Sequence, residues 1–199
     1  ERENFNQTID EPQLQAHQTE DLNFKTGDMI PVHNCGLVLA TSYIPLLFNR
    51  LKFTDSGQFI SSQHAHRAVY LLRYLVYGEV NIAAHDYQLE KLLCGLALSS
   101  KINLDYDIKE TEKELIDSLL TDLIHSWPAL GKTSIEGLRE TFLQRDGSLI
   151  KLDEKSWRLV VQPSPFDMLL DRMPWSYSNI KHSFMQDLIY VEWRSGADR

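Results

Sequence analysis

The sequence predicts an α+β fold, with a helical N-terminal part followed by a small antiparallel β-hairpin and sheet region. Two observations carry that reading. Apolar residues recur at helical spacing through most of residues 36–143, and after Gly147 they alternate with period two. Helices gathered first and strands last describe segregated layers rather than alternating βαβ units. No internal repeat or low-complexity tract interrupts the pattern.

Each element has its own local signals. Residues 1–31 are polar, rich in Gln, Asn and acids, and lack periodicity, so they are expected to form an acidic linker or arm. The domain proper is expected at 32–193, with 194–199 as a tail. The apolar stretch "GLVLATSYIPLLFNRLKF" (36–53) contains Pro45, which kinks or splits a helix there. Thr54 to Gly57 reads as a turn. Ser61 or Ser62 caps a helix over about 63–77, which Gly78 closes. Its core stripe is Ala65, Ala68, Val69, Leu72, Leu75 and Val76, and Tyr70, Tyr74 and Tyr77 form a second stripe beside it. Residues 86–98 hold a short apolar helix broken by Gly95. A long helix follows, opened by Asp107 with Glu110 or by Thr111 with Glu114. Its stripe runs from Leu115 to Trp127, and Pro128 ends it. Thr133 with Glu136 predicts a further capping box and a helix through Phe142 and Leu143. "SLIKLD" (148–153) and "SWRLVVQ" (156–162) flank Asp153-Glu154-Lys155 as a hairpin, with Trp157, Leu159 and Val161 on one face. "FDMLLDRM" (166–173) fits either helix or strand, and "DLIYVEW" (187–193) reads as a final strand.

Composition narrows the function classes. The chain has 199 residues, 43% hydrophobic and 24% charged, ordinary for a globular protein with an ample core. Net charge is −8, which disfavours a nucleic-acid partner because such binding neutralises phosphates with Lys and Arg. Residues 1–35 hold seven acids against two bases, so the rest carries only −3. Neither a membrane-spanning run nor a signal-peptide core is present, so membrane insertion is not expected. Cys35 and Cys94 make no C-x-x-C and read as buried thiols of a reducing compartment.

Motifs that suggest chemistry do not hold up. "SWPALGKTS" (126–134) ends like a P-loop, but its first glycine is Ser126 and a helix end precedes it where a strand is required. Lys132 is therefore a turn residue. His64 and His66 lie two apart, about 200° around a helix, so they cannot share a metal. There is no H-E-x-x-H, no G-x-S-x-G, and no calcium loop around Asp105-Tyr106-Asp107. Neither catalytic residues, cofactor nor metal is expected, and the chain is read as a non-enzyme. Aromatics are the unusual feature, concentrated in "MPWSYSNIKHSFMQDLIYVEW" (173–193). Most are expected in the core. The candidates for partner contact are Tyr70, Tyr74, Tyr77, Trp175, Tyr177 and Trp193, because Trp and Tyr are enriched as interface anchors.

Several stretches resemble one family: "HNCGLVLATSYIPLLFNRL" (33–51), "RAVYLLRYLVYGE" (67–79), "LEKLLCGLAL" (89–98), "WPALGKTSIEGLRETFLQRDGSL" (127–149) and "PWSYSNIKHSFMQDLIYVEW" (174–193). Together they are similar to the C-terminal part of tape measure proteins of contractile injection systems, phage-tail-like particles whose sheath contracts to drive an inner tube through a target membrane. The segment Thr41-Ser42-Tyr43-Ile44 departs locally, where a histidine–proline pair is expected. The resemblance implies a structural role in setting tube and sheath length during assembly. The expected partners are the inner tube and the hub, spike or baseplate proteins, and docking on a symmetric ring there predicts a homo-oligomer of three or six copies. The resemblance implies a cytoplasmic location during assembly and then a place in the particle, including one released from the cell. One continuous helix of this length would span ~300 Å, but the prolines and glycines fold the chain, so it is read as an anchoring end-piece with the ruler before Glu1. The alternative is an adaptor that docks proteins without a ruler role.

Overall fold

A computed structural model describes residues 24–79, 87–102 and 107–193. The arm assigned to 1–31 therefore lies outside the described residues up to Asn23, as do the tail at 194–199 and the pair Asp105-Tyr106. The fold is α+β, and it reaches further back than Val32. Phe24 packs edge-on against Trp157 at 5.8 Å, and a tight turn at Lys25–Asp28 leads into strand β1, Met29–Val32. Pro31 hides this strand in the sequence. It is tolerated because β1 is an edge strand with one partner, where a missing N–H need not interrupt a ladder.

The helical part is built as the apolar pattern directs. A buried 3-10 turn (Cys35–Ala40) leads into α1 (Ile44–Arg50), so the 36–53 stretch is split, with Pro45 accommodated in the first turn of α1. The expected turn at Thr54–Gly57 is a hairpin of β2 (Thr54–Asp55) and β3 (Gln58–Phe59). Ser56 and Gly57 both have positive φ, 49° and 77°, as a two-residue type I′ connection needs. Helix α2 (Ser62–Tyr77) ends on Gly78 in the left-handed region, and α3 (Gln88–Leu93) stops before Gly95. Helix α4 (Glu110–Ser126) begins between the two expected capping pairs. Glu112 accepts the Lys109 N–H at 2.9 Å, and its carboxylate also grips Arg67 of α2 at 2.6 and 2.9 Å. Trp127 leaves the helix before Pro128, as expected.

The next cap is also shifted by one residue. Ser134, not Thr133, caps α5 (Ile135–Leu138) by accepting the Gly137 N–H at 3.0 Å. Thr133 instead donates to the Leu130 carbonyl at 2.6 Å, and Glu136 pairs with Arg139 at 3.1 Å. Helix α5 runs into a π turn, Arg139–Leu143. The 3-10 turn nests against it: a Cβ on Gly36 would stand 1.6 Å from the Phe142 carbonyl oxygen.

Strands β4 (Gly147–Asp153) and β5 (Ser156–Val161) form the expected hairpin, irregular at Leu152. The segment 166–173 lies mostly within a 3-10 helix, Pro165–Arg172, capped by Ser164 and Asp167. Two short strands close the sheet, β6 (Asn179–Ile180) and β7 (Leu188–Glu192). The order is β1-β4-β5-β7-β6, and the pairings are antiparallel except β5 with β7, which run parallel. The sheet is thus five-stranded and mixed, larger than the hairpin region the sequence predicts. One apolar core joins its inner face, Leu149, Trp157, Leu159, Val161 and Ile189, to the helices.

Candidate functional site

The tyrosine stripe of α2 faces inward more than outward. Tyr70 and Tyr74 are each 7% exposed, and Tyr77 is half-buried. Two arginines cross the stripe. Arg73 lies over the rings of Tyr77 and Tyr87 at 4.5 and 5.0 Å and donates to Glu90 at 3.2 Å. Asn34 donates to the same Glu90 oxygen at 2.7 Å. Glu90 is fully buried, and desolvation raises its carboxyl above the usual range although Arg73 and these hydrogen bonds oppose it. Arg139 stands 5.6 Å from the Tyr74 ring and donates to the Leu75 carbonyl at 3.0 Å. It places a cation at the C-terminal end of α2, where free carbonyls and the helix dipole favour one. Burial raises the Tyr74 and Tyr77 hydroxyls. This arrangement ties α2 to α3 and to the π turn.

The C-terminal aromatics form a second group. Trp175 donates to the Leu39 carbonyl at 2.9 Å and meets Tyr43 and Trp127 edge-on at 5.4 and 6.4 Å. Trp127 in turn packs on Phe142 at 5.0 Å. Tyr177 meets Trp193 edge-on at 5.9 Å, and Arg145 lies 5.4 Å from the Trp193 ring. Arg145 is itself held by the buried carboxylate of Asp167 at 2.9 Å. Trp193 is 5% exposed, while Trp175 and Tyr177 are half-buried. Of the six partner-contact candidates, Tyr77, Trp175 and Tyr177 keep accessible surface, and Tyr70, Tyr74 and Trp193 give theirs mainly to the core.

Sequence reasoning missed a more exposed pair. Phe166 and Met168, on the 3-10 helix Pro165–Arg172, are 56% and 65% exposed. That helix is fixed from beneath by Trp127, which donates to the Leu169 carbonyl at 3.1 Å, and by the Arg145–Asp167 pair. Ser164 and Asp167, three residues apart, were the available signal: they form a reciprocal cap. The half-buried rings and this pair are suited to holding a protein surface, with apolar anchors on rigid supports.

Among the described residues, no group of three or more His, Cys, Asp and Glu is placed to hold a metal ion. Burial pushes the Cys35 thiol up to about 12 and Cys94 well above its usual value, so neither is a ready thiolate. A cleft of about 340 Å³ lies between Leu96, Leu98, Trp157 and Lys151. Its Lys151 pairs with Asp187 at 3.5 Å and covers the Trp157 ring at 4.4 Å, a structural use of that charge. At the P-loop-like stretch, Gly131 and Lys132 form a turn between the 3-10 turn Pro128–Leu130 and α5. No described helix is long and apolar enough to cross a membrane.

Comparison with known proteins adds one match. The family model described as contractile injection system tape measure protein matches residues 1–193, further toward the N terminus than the stretches that carry the resemblance. No curated protein and no solved structure matches the chain.

Proposed function

The chain belongs to the contractile injection system tape measure family, and from that premise we propose that its folded region is an anchoring end-piece in particle assembly, acting without catalysis. The match over residues 1–193 is the observation that carries this reading. Shape supports it. A ruler must be extended, about 1.5 Å per residue if helical, whereas the described residues between 24 and 193 fold back into helices, a small hairpin and a five-stranded sheet around a shared core. Such a body marks one end of a length-setting element. Its docking partners are the inner tube and the hub, spike or baseplate proteins, reached through Phe166, Met168 and the half-buried Tyr77, Trp175 and Tyr177. Docking on a closed symmetric ring brings three or six copies to each particle. Assembly takes place in the cytoplasm, before any release of the particle.

Deleting codons 24–193 in the producing strain is expected to leave few or no particles by electron microscopy of purified preparations. Particles of normal number and length from that strain would sink the anchor reading and favour an adaptor.

A further inference from the structure

The loop between β6 and β7, residues 181–187, ties the helical layer to the sheet. Gln58 of the β2–β3 hairpin donates to the Ser183 carbonyl at 2.6 Å, and the Ser183 hydroxyl donates back to the Gly57 carbonyl at 2.6 Å. Gln186 donates to the Gly95 carbonyl, just beyond α3, at 2.9 Å. Between these bonds the buried Phe184 ring packs on Phe48 of α1 at 5.5 Å and on Phe59 of β3 at 5.2 Å. His182 stands at the head of this loop. Its ring packs on Phe184 at 5.4 Å and donates to the Thr41 carbonyl, at the end of the buried 3-10 turn. Its Nε2 is shut off from solvent and has no hydrogen-bond partner among the described residues. Nδ1 therefore carries the ring proton, and Nε2 holds a bare lone pair.

We propose that His182 is an acid-sensitive latch: neutral, it holds the 181–187 loop closed, and a second proton, on Nε2, loosens the loop from the hairpin and from Gly95. A protonated Nε2 is a buried, charged donor with nothing to donate to, which is costly to keep. Neighbouring charges do not relieve that cost. Lys181, the nearest cation along the chain, spends its ammonium on the Met185 and Gln186 carbonyls at 2.7 Å each. Asp187, the nearest carboxylate along the chain, is taken by the Trp157 indole at 2.7 Å and by Lys151 at 3.5 Å. The hairpin and α1 meet the loop through Gly57, Gln58, Phe48 and Phe59, all uncharged, and the 3-10 turn offers only the Thr41 carbonyl. Burial accordingly lowers the His182 pKa from 6.5, with the Thr41 bond opposing. The closed loop thus binds this proton less readily than an opened one. Its latch is at full strength above about pH 6.5 and weakens as the pH falls below that.

The latch is independent of any role in assembly and is tested on the purified full chain. Imidazole nitrogen shifts, assigned through the backbone resonances, are expected to show the Nδ1–H tautomer at pH 7.5 and a His182 titration midpoint below 6.5. An Nε2–H tautomer, or a midpoint at 6.5 or above, overturns the proposal. Hydrogen exchange reads the opening itself. An opened His182 titrating near 6.5 raises the open population by up to about 30-fold at pH 5. The Met185 amide, which donates to the His182 carbonyl at 3.0 Å, reports on the closed loop. Its protection, corrected for intrinsic exchange, is expected to fall at least about fivefold between pH 7.5 and pH 5, while the β4–β5 amides keep theirs. His182→Asn retains an N–H in place of Nδ1 and has nothing that titrates, so it should lose less than half as much. Glu90 does not imitate the effect, because its raised carboxyl favours the folded state as the pH falls. A smaller fall in the wild type, a fall shared by the β4–β5 amides, or a fall at least half as large in the variant overturns the latch. Should the variant not fold, the wild-type titration and exchange decide alone.

Discussion

At the scale of single residues, glycine separates two kinds of constraint. Gly36 has no unusual φ, but a side chain there would enter the Phe142 carbonyl of the π turn, at 1.6 Å. Backbone cannot retreat as a flexible side chain does. Gly36→Ala is therefore expected to cost more than ~4 kcal/mol, at the severe end of point substitutions, and to leave little folded protein. Gly131 is the reverse case. Its surroundings are open, but its backbone lies at φ 61°, ψ −127°, a region that L residues rarely adopt. Gly131→Ala is expected to cost about 1–3 kcal/mol through strain alone. Urea denaturation of both variants checks the order; equal effects would mean the π turn yields to the 3-10 turn.

At the scale of elements, the cap of α5 is the sharpest test. Ser134→Ala should lower stability by about 1 kcal/mol through the lost bond to the Gly137 N–H, and Ser134→Asp should retain it. A midpoint unchanged by the alanine would show that the cap contributes nothing. This site also shows how far the sequence could be read. The helix was legible from its apolar spacing, but Thr133 and Ser134 are both good caps, and only the path of the chain after Leu130 chooses between them. Long helices and the β4–β5 hairpin were legible for the same reason: their signals are local. Strands β1 and β6 were not, because β1 owes its existence to β4, far along the chain, and β6 is only two residues long. The parallel pairing of β5 with β7 leaves no local trace either. Among the aromatics, a signal went unused. Period two from Ile189 turns Trp193 inward and Tyr190 outward, as observed. Tyrosine spacing on α2 could not reveal the burial of Tyr74, since Arg139, which lies over that ring, comes from the π turn, although Arg73 over Tyr77 is a pair four residues apart on α2 itself.

At the scale of the whole molecule, helices and sheet share one core, and glycines let the helical part approach strand β4 and the β6–β7 connection closely. A Cβ on Gly147 would stand 2.6 Å from the Cys35 sulfur, and one on Gly95 would stand 2.0 Å from the Phe184 carbonyl oxygen. The sheet also fixes directions. Because β1 is antiparallel to β4, β4 to β5, and β5 is parallel to β7, the first and last strands of the sheet in chain order point the same way. The chain thus enters the sheet at one end and leaves it at the other. Tension between entry and exit would slide β1 and β7 past the strands between them, loading the intervening hydrogen bonds together rather than one after another. A tether between Lys25 and Glu154 would act otherwise, since both lie near the Met29–Ile150 end of the β1–β4 ladder, and would peel that ladder pair by pair. Single-molecule pulling is expected to need the higher force in the first geometry, and equal forces would show that the helical layer yields before the sheet. A fold wired in this way resists being drawn out along its own chain.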